Sequence, residues 1–231
     1  MLNVSVIVPA YNEEASILNV LEAVARQQSD QCRYEVIVVD DGSRDRTVEI
    51  VRTHPDLYAQ LIVQPKNGGK GAAVKAGLAK ATGDYVLIQD ADLEYDPADY
   101  PKLISPLLKG EVDMVMGSRL IAPPMTRVHY FWHKVGNRLI TLLFNILYNT
   151  TFTDIYCGYL LYRRALLDPA ELRTTGWEQQ AEMLARLVGR ANRIYEVPIS
   201  YFGRTYAEGK KIRARHVVPV ILEIVLRRFA R

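Results

Sequence analysis

The chain has 231 residues, 49% hydrophobic and 24% charged, which supplies ample apolar material for a packed core and excludes a disordered chain. A net charge of +3 is too small an excess to argue for nucleic acid, so no nucleic-acid partner is expected. Cys32 and Cys157 lie far apart without CxxC spacing, so there is neither a zinc signature nor a disulfide framework, and a reducing cytosol fits. The start, Met1-Leu2-Asn3-Val4-Ser5, lacks a basic region followed by an apolar stretch, and no export signal is expected.

From the amino terminus, short apolar runs alternate with helical patterns. Residues 4–9, 35–40, 61–64, 85–89 and 112–117 read as strands, with helices over 13–28, 46–53, 71–82 and 98–109 between them. Continuous Val/Ile runs of this kind belong to strands buried on both faces of a parallel sheet, in which ligands bind beyond the carboxyl ends of the strands. Those ends carry Pro9-Ala10-Tyr11-Asn12-Glu13, Asp40-Asp41-Gly42-Ser43 and Asp90-Ala91-Asp92-Leu93-Glu94, all expected on one edge. Each alone reads as a turn with a helix cap, and Asp96-Pro97 as the start of a helix. Together they suit a nucleotide pocket, in which the oxygens of Asp90, Asp92 and Glu94 hold Mg²⁺ or Mn²⁺ with positions left open for a substrate diphosphate. An EF-hand does not fit, since Tyr95 stands where that loop needs Gly.

Two glycine patterns fail on spacing. Asn67-Gly68-Gly69-Lys70-Gly71 lacks both Walker A spacing and the third Gly of a dinucleotide fingerprint, where Val74 stands. A flexible loop entering a helix N-terminus, in contact with the donor, is the functional reading of it.

With these motifs in hand the chain resembles family 2 glycosyltransferases, and among them the polyprenyl-phosphate (dolichol-phosphate mannose synthase-like) branch. The resemblance rests on VSVIVPAYNEE at 4–14, VIVVDDGSRDRT at 36–47, NGGKGAAVKAG at 67–77, ATGDYVLIQDADLEYDP at 81–97, GSR at 117–119, TDIYCGYLLYRR at 153–164 and EVPISYFGRTYAEGKK at 196–211. It implies an α/β GT-A fold, a Rossmann-like sandwich with a mostly parallel mixed sheet whose later strands fall near 158–162 and 193–198, and amphipathic C-terminal helices. The implied domain is 1–211, with a nucleotide-sugar half of about 1–119 and an acceptor half of about 120–211, followed by a basic amphipathic helix at 212–231.

The resemblance assigns Pro9, Tyr11, Glu13, Val39, Asp40 and Asp41 to the base and ribose, Asp90 and Ala91 to the donor, and Asp90, Asp92 and Glu94 to the divalent ion. Relatives of this branch commonly carry Gln at the position of Glu94. The implied reaction moves a hexosyl group from GDP-mannose or a UDP-hexose to a polyprenyl phosphate with inversion; the alternatives are the same chemistry on a soluble glycan or small metabolite, and a GT-A module that binds a nucleotide sugar without turnover. Arg119, Arg204, Lys210 and Lys211 are the cations expected to stabilise the departing diphosphate, and Arg119 and His133 those expected at the acceptor phosphate. Asp154 matches a position expected to act as base or to organise the acceptor site. Its alternative is a cap or a buried hydrogen-bond organiser. An acceptor that is already an ionised phosphate does not require a strong base.

Residues 131–149 place His133, Asn137, Thr141, Asn145 and Asn149 at four-residue intervals, and Glu223, Arg227 and Arg231 make a second polar stripe beside Val218, Ile221, Leu222, Val225 and Phe229. The apolar faces either pack on the core or dip into the cytoplasmic leaflet, with Lys and Arg facing anionic lipids. From Lys210 to Arg231 there are seven Lys or Arg against one acid, which points to phosphate groups or a membrane surface. The longest apolar segment, 139–148, is shorter than the roughly 20 residues a bilayer requires, so no membrane span is expected. Attachment is then peripheral, through a small membrane partner protein, or unnecessary.

Overall fold

Residues 1–121, 131–203 and 217–229 are described by a computed structural model. Among them one mixed sheet is built from β1 (Leu2–Ala10), β2 (Cys32–Asp40), β3 (Gln60–Val63), β4 (Tyr85–Ile88), β5 (Met114–Ser118), β6 (Leu160–Arg163) and β7 (Ile194–Pro198), in the order β3-β2-β1-β4-β6-β5-β7. β6 pairs antiparallel with both β4 and β5, and every other pairing is parallel. The apolar runs form the sheet interior because both faces are covered. Val4, Val6, Ile7 and Val8 on β1 and Ile37, Val38 and Val39 on β2 are fully buried, each stabilising by about 1.5–3 kcal/mol relative to exposure.

The helices are α1 (Ile17–Ala25), α2 (Thr47–Arg52), α3 (Lys70–Leu78), α4 (Tyr100–Lys109), α5 (Phe131–Tyr148), α6 (Gln179–Val188) and α7 (Val217–Phe229). The chain lays β2 and β3 to one side of β1 and then returns to place β4 on the other. Strand order therefore reverses between β1 and β4, and the crevice beyond their carboxyl ends is where such sheets bind ligands.

Helix α6 has no counterpart in the sequence reading. Met183, Leu184 and Leu187 give it an apolar face, but Gln179 and Glu182 are buried as well, which breaks the expected pattern. The Glu182 carboxylate is neutralised by Arg186 at 3.0 Å and by Arg227 of α7 at 3.1 Å, and it also accepts from the backbone N–H of Arg173 and Thr174.

Helices α5 and α7 are amphipathic as expected, but each buries a mixed face, Ile140, Thr141 and Phe144 on α5 and Val220, Glu223 and Ile224 on α7. On α5 the polar stripe faces inward: Asn137 donates to Asp154 at 2.8 Å, Thr141 accepts from the N–H of Ile155, and Asn145 donates to the carbonyl of Phe152 at 2.7 Å. On α7, Glu223 and Arg227 pair with each other on the side toward α6. The two helices are tied by the Tyr148 hydroxyl donating to Ile224 O and by Arg228 donating to Leu147 O. Leu139, Leu142 and Ile146 on α5, and Val218, Leu222, Leu226 and Phe229 on α7, are left facing outward.

Candidate active site

A cavity of about 680 Å³ opens at the switch point and collects residues from every turn on that edge. Pro9, Tyr11 and Glu13 follow β1, Asp41 follows β2, and Asp90, Ala91, Asp92 and Glu94 follow β4; Arg119 follows β5. His133 and Asn137 enter from α5, and Val217 and Val220 from α7. The three acidic or polar turns thus meet as predicted.

Two of the expected base-pocket residues do not line the cavity. Val39 is wholly buried in the sheet, and Asp40 folds its own turn, its Oδ2 accepting from the N–H of Gly42 at 3.1 Å and Ser43 at 3.0 Å. Their place in the strand explains both: they precede the edge, and only Asp41 reaches it. Asp41 in turn grips the glycine loop, its two oxygens accepting from the N–H of Gly68 and Gly69 at 2.9 Å each. Burial raises the Asp41 carboxyl, partly offset by these two bonds. Gly69 has φ +95°, a conformation other L residues rarely adopt, and a Cβ there would lie 2.6 Å from the carbonyl oxygen of Thr175. That carbonyl also accepts from Gly71 N at 2.7 Å, so the start of α3 is capped by the chain itself. The loop is fixed rather than loose, and it delivers Lys70 into the cavity.

Lys70 and the acidic turn meet there. The Lys70 ammonium lies 2.5 Å from Asp90 Oδ1 and 5.4 Å from the centre of the Trp177 ring. Asp92 Oδ1 accepts from the N–H of Glu94 at 3.2 Å, closing a turn in which Leu93 has φ 59°. Glu94 departs from the predicted trio: its Oε2 accepts from the Tyr201 hydroxyl at 2.9 Å. Among the described residues no three His, Cys, Asp or Glu side chains converge into a metal-holding group. Asp90 and Asp92 remain as the pair, which suits a hard cation shared with substrate phosphates, and Asp90 already attracts a cation in the form of Lys70. Beneath the turn, the buried Gln89 donates to the carbonyls of Asp90 and Tyr95 and accepts from the hydroxyls of Tyr100 and Tyr159. Gly158 lets β6 approach, since a Cβ there would stand 2.9 Å from Asp90 Oδ2.

Arg119, which also lines the cavity, forms a two-pronged pair with Asp154, Nε to Oδ2 at 2.6 Å and Nη2 to Oδ1 at 2.8 Å, reinforced by Arg119 N to Oδ2 at 3.2 Å. Asp154 is fully buried. Burial alone raises its carboxyl, but the Arg119 guanidinium and the bonds from Arg119 and Asn137 hold it below the usual carboxylate range. The guanidinium lies 4.9 Å from the centre of the Tyr201 ring. Arg204, Lys210 and Lys211 lie outside the described residues.

Sequence reasoning assigned no role to Lys70 itself, Gln89, Tyr201 or Trp177. Lys70 stood in a motif already singled out. Gln89 and Tyr201 also stood in quoted motifs, at 81–97 and 196–211, but the side-chain partners of Tyr201 and Trp177 are distant in sequence.

The family model described as glycosyl transferase family 2 matches residues 5–169, which takes in the turns after β1, β2, β4 and β5. The chain belongs to glycosyl transferase family 2. A low-salt glycan biosynthesis hexosyltransferase of Haloferax volcanii is 33% identical over 204 residues, covering 87% of this chain and 48% of that protein. A dolichyl-phosphate β-glucosyltransferase of Trichomonas vaginalis is 29% identical over 96% of this chain and 72% of its own length. A dolichol-phosphate mannosyltransferase of Pyrococcus furiosus is 29% identical over 90% and 59%. The chain thus spans about half the length of the Haloferax relative. Glucosyl-3-phosphoglycerate synthase of Mycobacterium tuberculosis, solved with Mn²⁺, UDP-glucose and phosphoglyceric acid, superposes with a TM-score of 0.71 at 23% identity, covering 98% of this chain and 80% of that one. The expected GT-A fold is present.

Proposed function

We propose that this family 2 glycosyltransferase moves a hexosyl group from a nucleotide diphosphate sugar, GDP-mannose or a UDP-hexose, to a polyprenyl phosphate. The observation that carries the proposal is that the Asp90–Asp92 turn and Arg119 line one and the same cavity. It presents carboxylates with Lys70 and, besides them, a guanidinium fixed by Asp154. The names of the Trichomonas and Pyrococcus relatives support the acceptor class, and the Mn²⁺ and UDP-glucose in the mycobacterial structure support the donor class.

In this reading residues 1–119 hold the donor and residues from 120 onward the acceptor. Tyr11 offers its ring to the base, and Glu13 and Asp41 border the base and ribose; Val39 and Asp40 support that wall from below. Asp90 and Asp92 hold Mg²⁺ or Mn²⁺. The bound cation supplies charge neutralisation for the departing diphosphate. Lys70 adds a second positive charge beside the same phosphates, and Arg204, Lys210 and Lys211 are assigned to them by sequence. Arg119 and His133 orient the acceptor phosphate, whose ionised oxygen attacks the anomeric carbon as the bond to the diphosphate breaks, with inversion. Asp154 then serves as a positioning residue for Arg119 rather than as a base, since both its oxygens are committed to Arg119 and Asn137.

The outward face of α5 and α7 supports a membrane-surface location at the cytoplasmic leaflet. Its exposed charges are Lys134, Arg138 and Arg228, and the sole acid on the two helices, Glu223, is buried. Exposed apolar side chains on two helices whose described exposed charges are cationic match an anionic lipid interface. The same helices wall the cavity, which would bring a lipid phosphate to Arg119 from the bilayer side. No described helix is long and apolar enough to cross a membrane. Vesicles rich in phosphatidylglycerol are expected to carry the protein upward in a density gradient. The double substitution Leu142→Glu, Leu222→Glu should leave it at the bottom, and equal flotation of both proteins would refute this orientation.

The function itself is tested by incubating the protein and Mn²⁺ with each nucleotide sugar and either a short polyprenyl phosphate or the matching polyprenol. Glycosylation of the phosphate alone is expected. A product formed only on non-phosphorylated acceptors would reject the assignment.

A further inference from the structure

Arg119 is held on two sides, and only one of them is an ion pair. Asp154 takes the guanidinium edge, while the ring of Tyr201 covers its face at 4.9 Å. The Tyr201 ring is itself placed by three contacts: its hydroxyl donates to Glu94 Oε2 at 2.9 Å, the neighbouring Phe202 N donates to Glu94 O at 2.9 Å, and Tyr95 packs against it with ring centres 5.2 Å apart. Glu94 N in turn donates to Asp92 Oδ1. A continuous chain of contacts therefore runs from the acidic turn through Glu94 and Tyr201 to Arg119.

We infer that Tyr201 is a positioning residue for the acceptor step: its ring fixes the face of Arg119, and its hydroxyl, anchored on Glu94, fixes the ring. The inference rests on the assignment of Arg119 to the acceptor phosphate. It gives the Glu94 side chain a role at the aromatic ring, whose hydroxyl donates to it. A cation over an aromatic face loses affinity and direction when the ring is removed, and the guanidinium then has only its Asp154 edge to define it.

The test compares Tyr201→Leu, which removes ring and hydroxyl, with Tyr201→Phe, which keeps the ring and frees it from Glu94. Steady-state kinetics are taken against polyprenyl phosphate and, separately, against nucleotide sugar, with melting temperatures recorded for each protein. Tyr201→Leu is expected to raise KM for the acceptor about tenfold while the donor KM stays within about twofold, and Tyr201→Phe to recover most of the loss at about threefold. Combined with Arg119→Lys, the Leu substitution should cost much less than the product of the two separate losses, because both act through one guanidinium. Equal increases in both KM values, or fully multiplicative losses in the double variant, would overturn the inference. A wild-type protein inert toward every phosphorylated acceptor would instead sink the functional assignment on which it rests.

Discussion

Asp92→Asn is expected to reduce hexosyl transfer about 10³-fold while leaving the melting temperature nearly unchanged. Asp92 lines the cavity at the end of the turn that follows β4, and its Oδ1 accepts from Glu94 N at 3.2 Å. An amide oxygen replaces the carboxylate in that bond, so the fold is retained. What is lost is a negative charge where a divalent cation and a diphosphate must be brought together, and neutral oxygens hold hard cations far less well than carboxylates. Glu94→Gln gives the contrast. It keeps an oxygen for the Tyr201 hydroxyl, and a change of no more than about threefold is expected, in line with a neutral acceptor replacing a charged one. Kinetics of the two variants side by side check the separation of roles. Equal, severe losses would return Glu94 to the cation.

Asp154→Asn is expected to act on stability first. The pair with Arg119 is buried, with Asp154 fully enclosed. Removing one partner of such a pair costs about 3–5 kcal/mol because the other charge is left uncompensated. At roughly 2–4 °C per kcal/mol for a chain of this size, the melting temperature should fall by roughly 10 °C. The pH dependence has a definite sign. The folded Asp154 carboxyl titrates below its ordinary value, so the stability it contributes is complete above about pH 4 and disappears as pH falls through the lower folded value. The gap between wild type and Asp154→Asn should therefore narrow in acid. Thermal melts at pH 7 and pH 3 measure it. A variant with unchanged melting and abolished turnover would mark Asp154 as a base.

The sheet was legible in sequence because strands buried on both faces are written as unbroken Val/Ile runs, such as Val36 to Val39. So was the binding edge, since polar turn residues after successive strands of a parallel sheet share one side by construction. The orientation of α5 and α7 was not. Periodicity shows that Asn137, Thr141 and Asn145 share a stripe, but whether a stripe faces in depends on partners such as Asp154 and the Phe152 carbonyl, which only the tertiary fold supplies. The contact that Glu94 makes was hidden for the same reason. Its partner Tyr201 lies 107 residues away, and spacing between neighbouring carboxylates says nothing about a competing hydroxyl. Helix α6 was hidden by Glu182, a buried acid whose counter-charges come from Arg186 and Arg227.

Trp132 and Trp177 are the two tryptophans of the chain and both line the cavity, so intrinsic fluorescence reports on its occupancy. Titrating the protein with UDP- and GDP-sugars, with and without Mn²⁺, should give a saturable change with at least one donor that requires the ion and is lost in Asp92→Asn. Fluorescence that stays flat with every donor, or binding equally tight without the ion and in the variant, would contradict a cation-assisted donor site at the Asp90–Asp92 turn.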